Sequence, residues 1–108
     1  QPHPELSTLL AEYKNVVSEL LVAGKSDTQL LPALACDFLD LSGYLLYGYM
    51  WHQTLAVLDP AKHSADFIES KQLTARFYFE RVMPKAWGLI AIIRQPINAL
   101  VEMRDELF

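Results

Sequence analysis

The sequence predicts an all-α protein: an antiparallel helical bundle of three long helices, the third kinked near Pro84, plus a short C-terminal helix. Three observations lead there. Apolar residues recur at steps of three and four along most of the chain, as on the buried face of a helix. No segment shows the period-two alternation of a half-buried strand. Prolines and short polar runs divide the chain where such helices should end, and connections that short join antiparallel neighbours.

The first helix rests on Leu6, Leu9, Leu10, Tyr13, Val16, Val17, Leu20 and Leu21, with Glu5, Glu12, Lys14 and Glu19 off that face. Pro4 suits its first turn and Gly24 the residue just past its end. The polar run KSDTQ follows, in which Asp27 or Thr28 is placed to cap the second helix. That helix is predicted from about Leu31 to Leu58, because Pro32 is tolerated only near a helix start. It carries two apolar stripes, Leu34, Phe38, Leu41, Leu45, Tyr49, His52 and Leu55 on one face, and Ala35, Leu39, Ser42, Leu46, Met50 and Val57 on another. A helix apolar on two faces is expected to be buried between neighbours on both sides.

Asp59-Pro60 ends it, since the residue before a proline is pushed out of helical geometry. The third helix is predicted from Ser64 or Ala65 to about Arg94 on the stripe Ile68, Ala75, Phe79, Val82, Ala86, Leu89, Ile90 and Ile93. Pro84 removes one backbone hydrogen bond inside it and kinks it without ending it. After Pro96 a short helix carries Ile97, Leu100, Val101 and Leu107.

The chain has 108 residues and is read as one domain, 1–108. It begins QPHPEL, with no initiator Met and no basic-then-apolar leader, and is expected to be a piece of a larger protein. Its 52% hydrophobic and 20% charged content exceeds the needs of a small domain's core, which suggests apolar surface meant for a partner. A net charge of −4 counts against nucleic acid, whose binders neutralise phosphates with a basic face. The lone Cys36 rules out an internal disulfide and points to a reducing, cytoplasmic setting. It is expected to be a small buried hydrophobe.

Between Asp40 and Asp59 no residue carries a formal charge unless His52 is protonated, a run near the length of a membrane span. Ser42, His52, Gln53 and Thr54 interrupt it and Asp rather than Lys or Arg flanks it, so a core helix of a soluble protein is expected. A search for chemistry finds no catalytic, cofactor-binding or metal-ligating residue set. No glutamate has a histidine three residues on, as a di-iron bundle requires. His3, His52 and His63 fall in three segments, and His52 on an apolar stripe reads as a core residue. Gly43 and Gly48 lack the Lys-Ser/Thr of a phosphate loop and read as small residues that let a neighbouring helix approach. Asp37 and Asp40 read as a solvated face near a helix start. The run YLLYGYMW, 44 to 51, reads as core and interface.

The run RFYFER, 76 to 81, joins aromatic rings to cations, yet on a helix Phe77, Tyr78 and Phe79 splay over about 200° and form no stacking platform. Phe79 belongs to the core stripe, Phe77 and Tyr78 point sideways, and Arg76 can pair with Glu80. Trp51, Phe77, Tyr78 and Trp87 are the candidate docking surface.

TARFYFERVMPKAWGLIAIIR resembles the last long helix of acyl-CoA dehydrogenase-like flavoenzymes, in the subgroup with an added C-terminal helical domain. The 3-methylmercaptopropionyl-CoA and related fatty-acyl-CoA dehydrogenases belong there. DFLDLSGYLLYGYMWHQTLAVL resembles that domain's central helix, and Pro96 to ELF its tail. The likeness is most specific from Lys71 to Pro84. It implies a parent oxidoreductase that dehydrogenates an acyl-CoA between the α and β carbons with FAD, using parts upstream of this chain. Nothing here matches the catalytic base or the flavin motifs, so the resemblance implies a non-catalytic C-terminal domain with no cofactor of its own. It would pack on its own dehydrogenase core or on a neighbouring subunit of a homo-oligomer, and meet acyl-CoA only through the parent. Two other readings stay open: a free-standing bundle that holds an acyl chain, and a dimerisation module.

Overall fold

A computed structural model describes residues 3–103 and 105–107, the side chains of Leu100, Val101 and Asp105 excepted. The side chains of Leu100 and Val101, assigned from spacing to the closing helix face, lie outside that description. The described residues form helices and no strand. They are α1 (Pro4–Gly24), α2 (Leu30–Ala56), α3 (Ala65–Phe77), a π-helical turn (Tyr78–Val82), α4 (Lys85–Ile93), α5 (Asn98–Glu102) and a 3₁₀ turn (Asp105–Leu107).

α1 starts where Pro4 fits the first turn and the His3 ring accepts the Glu5 N–H at 3.2 Å. Gly24 is the last helical residue rather than the one beyond. Asp27 does not cap α2 from the N-cap position, which is Gln29. It accepts the Gln29 N–H at 3.0 Å one step earlier. Ser64 caps α3 by accepting the Phe67 N–H at 3.1 Å.

The predicted third helix is one path in three pieces, and the reason is Pro84. Its ring has no N–H and crowds the carbonyl four residues back. The chain widens ahead of it: Met83 N–H donates to the Tyr78 carbonyl at 2.8 Å, a five-residue step. Tyr78 and Phe79 follow buried Ala75 by three and four residues and so share its face, where both rings are buried and meet edge to face at 5.7 Å. The expectation that Tyr78 points outward is therefore corrected.

α1, α2 and α4 touch pairwise, and α3 also meets α2. The core comprises Leu6, Leu9, Val16, Leu34, Leu41, Ala75, Phe79, Met83, Ala86, Ile90, Ile93 and Ile97 together with Tyr78. Leu6 and Met83 close over Gly48, where an added Cβ would lie 3.0 Å from each. An ion cluster ties the far ends, with Arg94 held by Glu12 at 2.9 Å and Glu19 at 2.8 Å. The guanidinium holds the Glu12 carboxyl below its ordinary range. Arg76 and Glu80 pair in the open at 3.7 Å.

The second stripe of α2 is not buried within the chain. Leu39, Leu46, Met50 and Val57 are 71%, 58%, 51% and 67% exposed. The reason lies in the supply of helices: α1, α3, the π-helical turn and α4 all meet α2, yet among the described residues none covers this stripe. The molecule is a slab of 63 × 31 × 17 Å with a radius of gyration of 18.3 Å, against about 13 Å for a compact chain of this size. Cys36 is exposed, not buried, because it lies on this outer side. Leu107 is exposed as well. By length and composition α2 is also apolar enough to cross a membrane, with a mean hydropathy of 1.3 over its best window.

Candidate docking surface

Between α1 and α2 runs an apolar trough in two hollows of about 410 and 440 Å³. Leu20, Leu21, Leu31 and Leu39 line the first, and Leu6, Leu10, Leu46 and Tyr49 the second; Ser42 borders both. Ser42 donates to the Phe38 carbonyl at 2.9 Å, so the Tyr13 hydroxyl, 2.7 Å from Ser42 Oγ, is the donor in that pair. The Tyr13 ring stacks on Phe38 at 5.5 Å. The waist of the trough is thus a satisfied polar bridge that fixes α1 on α2, and Ser42 has no base to activate it.

From Leu39 and Leu46, which it shares with the trough, the outer side of α2 continues through Cys36, Gly43, Tyr47 and Met50. At Gly43 a Cβ would meet nothing within 4 Å. The expectation that both glycines admit a neighbouring helix holds within the chain for Gly48 alone. The four aromatic residues singled out from sequence do not all lie on the surface. Phe77 is 60% exposed, Trp87 is 37% exposed, Trp51 is half-buried against the core and Tyr78 is 8% exposed. Tyr78 donates to the Tyr44 carbonyl on α2. Burial, with the nearby Tyr44 and Tyr47 hydroxyls, pushes its phenol up to about 12.

The outer leucines of α2 were visible in the sequence as the second stripe. Which stripe would lack a neighbour was not, because spacing reports apolarity and not what covers it.

His3 and His52 line one hollow with Leu55, Ala56 and Phe79, without a carboxylate or thiol. His3 stacks on Phe79 at 4.4 Å, and His63 accepts the Asp59 N–H at 3.1 Å. Among the described residues no group of three or more His, Cys, Asp and Glu could hold a metal. The trough does not fit a flavin either. It offers Ser7, Ser42, Tyr49, His52 and Gln53 as its polar groups, with no Lys or Arg for a pyrophosphate. Gly43 and Gly48 are mid-helix, so neither opens a backbone cradle.

Fold and surface together define a class: an all-helical domain with an uncovered apolar face and no catalytic group assembled among its described residues. The chain belongs to the acetyl-CoA dehydrogenase C-terminal-like family, which it matches over residues 4–104. No curated protein and no solved structure matches it. Its kind is therefore the C-terminal domain found in acyl-CoA dehydrogenase-like proteins.

Proposed function

We propose that this chain is the non-catalytic C-terminal domain of an FAD-dependent acyl-CoA dehydrogenase-like oxidoreductase, and that it packs on its parent's catalytic core or on a neighbouring subunit. The family match over residues 4–104 carries the reading. The Lys71 to Pro84 run favours the subgroup of 3-methylmercaptopropionyl-CoA and fatty-acyl-CoA dehydrogenases. In this reading the substrate is an acyl-CoA oxidised between its α and β carbons, FAD belongs to the parent's other domains, and the protein is cytoplasmic.

The helices are arranged as an antiparallel bundle in this proposal. As α1 runs from Leu6 to Tyr13, its partners on α2 run back from Gly48 to Ser42 and Phe38, which supports it. The role is to stiffen the assembly or cover the acyl-CoA entrance. The uncovered leucines of α2 and the exposed Phe77 support docking, since a slab this apolar gains from covering its face.

The test is the native polypeptide in its source cells, captured with an antibody raised to residues 1–108. The expected result is a band several times the chain's 12.3 kDa that purifies yellow with flavin and oxidises an acyl-CoA. A colourless band at the chain's own mass would overturn the proposal.

A further inference from the structure

We infer that the outer face of α2 pairs with the same face of a second copy of this chain, the two helices crossing antiparallel at Gly43. The pattern around that residue carries the inference. Gly43 is the midpoint of α2, thirteen residues from Leu30 and from Ala56. Counting outward, four residues to either side lie Leu39 and Tyr47, and seven to either side Cys36 and Met50. All four are exposed.

An isologous contact brings residue 43+k of one helix against 43−k of the other. A two-fold axis at Gly43 therefore sets Leu39 against Tyr47 of the second copy and Cys36 against Met50. Steps of four and seven keep one helical face throughout. The apolar positions of the face thus find partners in its own copy.

Gly43 supplies the second argument. A mid-helix glycine costs about 1 kcal/mol relative to alanine, and inside this chain nothing approaches its Cβ position to require it. On the two-fold axis glycine faces glycine, and the missing side chains let two helix backbones close together. Charge limits the pairing at one place only. From Leu41 to Leu58 α2 and its end carry no formal charge unless His52 is protonated. The exposed Asp40, three residues off the axis, comes opposite Leu46 of the second copy rather than its own image and has to keep its carboxylate at the rim.

Area agrees with the pairing. α2 is about 40 Å long and the layer it forms with α1 about 20 Å wide, so the pairing reaches the roughly 800 Å² per partner typical of a stable interface when the flanking side of α1 joins the contact. A lipid surface is the weaker occupant, because a helix lying in a membrane interface presents Lys and Arg, whereas the charge at this face is the acidic Asp40. The pairing specifies one face that could meet a neighbouring subunit in the parent enzyme. Its failure would leave the enzyme assignment standing, since that is decided by polypeptide size and flavin.

The experiment is sedimentation of the chain combined with disulfide trapping. The expected result is a species of twice 12.3 kDa that Leu39→Glu converts to monomer, with at least about a tenfold rise in dissociation constant and an unchanged helical spectrum. With Cys36→Ser present, Gly43→Cys should trap a dimer on oxidation. Met50→Cys in that background should not, as position 50 lies about 10 Å along the helix from the axis. Met50→Cys with Cys36 retained should trap it again. A chain monomeric at about 100 μM, well above the micromolar limit of interfaces this size, would overturn the pairing, as would equal trapping at positions 43 and 50 in the Cys36→Ser background. A monomer that pellets with phosphatidylcholine vesicles would assign the face to lipid and overturn it too.

Discussion

Gly43 and Gly48 stand five residues apart on one helix and teach opposite lessons. At Gly48 the chain itself uses the missing side chain: Leu6 and Met83 occupy the space a Cβ would need. At Gly43 the same absence serves nothing within the chain, and exposed Leu39, Leu46, Tyr47 and Met50 surround it. One side of α2 is finished by its own fold and the other is not. A glycine's meaning depends on what approaches it, and here the approach differs within a turn and a half of helix.

The largest effect should fall on the finished side. Phe79, 3% exposed beneath the stacked His3 ring, should cost about 3–5 kcal/mol on truncation to alanine, read by urea unfolding. A loss under about 1 kcal/mol would remove it from the core. Next comes Tyr78, whose phenol is raised from 10 to about 12. The raised group contributes stability that is fully present below pH 10 and is lost as pH rises through 12, because the unfolded chain ionises first. The loss should approach about 2 kcal/mol, and Tyr78→Phe should flatten the stability profile over that window. An unchanged profile would show the phenol to be solvated.

The two glycines give the sharpest contrast. Gly48→Ala should destabilise the chain by about 1 kcal/mol, as the tight contacts with Leu6 and Met83 outweigh the gain in helix propensity. Gly43→Ala, measured in dilute chain, should stabilise it by about 0.5–1 kcal/mol. Equal signs would erase the distinction between the two sides. The smallest effect belongs to Arg94→Ala at the exposed cluster with Glu12 and Glu19, a slight fall in Tm that added salt should also produce. With the Glu12 carboxyl held low, that contribution is present above its ordinary range and fades as acid protonates it.

Much of the fold was legible because it depends on local rules. Asp59-Pro60 marked the end of the second helix to within a few residues, and the stripe from Ala75 through Phe79 to Ile93 found the buried face of the third. The π-helical turn was not legible. Pro84 announced a kink, but a kink can be relieved in several ways. The burial of Tyr78, by contrast, was within reach of spacing, since it lies three residues from Ala75 on the same face, with Phe77 opposite. Of the candidate surface, the apolar outer residues were visible as a second stripe on α2. That they would lie uncovered depends on how many helices the chain can bring to that side, which no local spacing records. Cys36 went the same way, read as buried from its residue type and exposed by its position.

The most direct test of the two-sided account of α2 is the concentration dependence of thermal unfolding. If a second copy covers the Gly43 side, Tm rises with chain concentration, since association stabilises the folded state by mass action. Gly43→Leu should then abolish the rise while leaving the dilute-limit Tm within a few degrees. A Tm that does not move with concentration in the native chain would contradict the account.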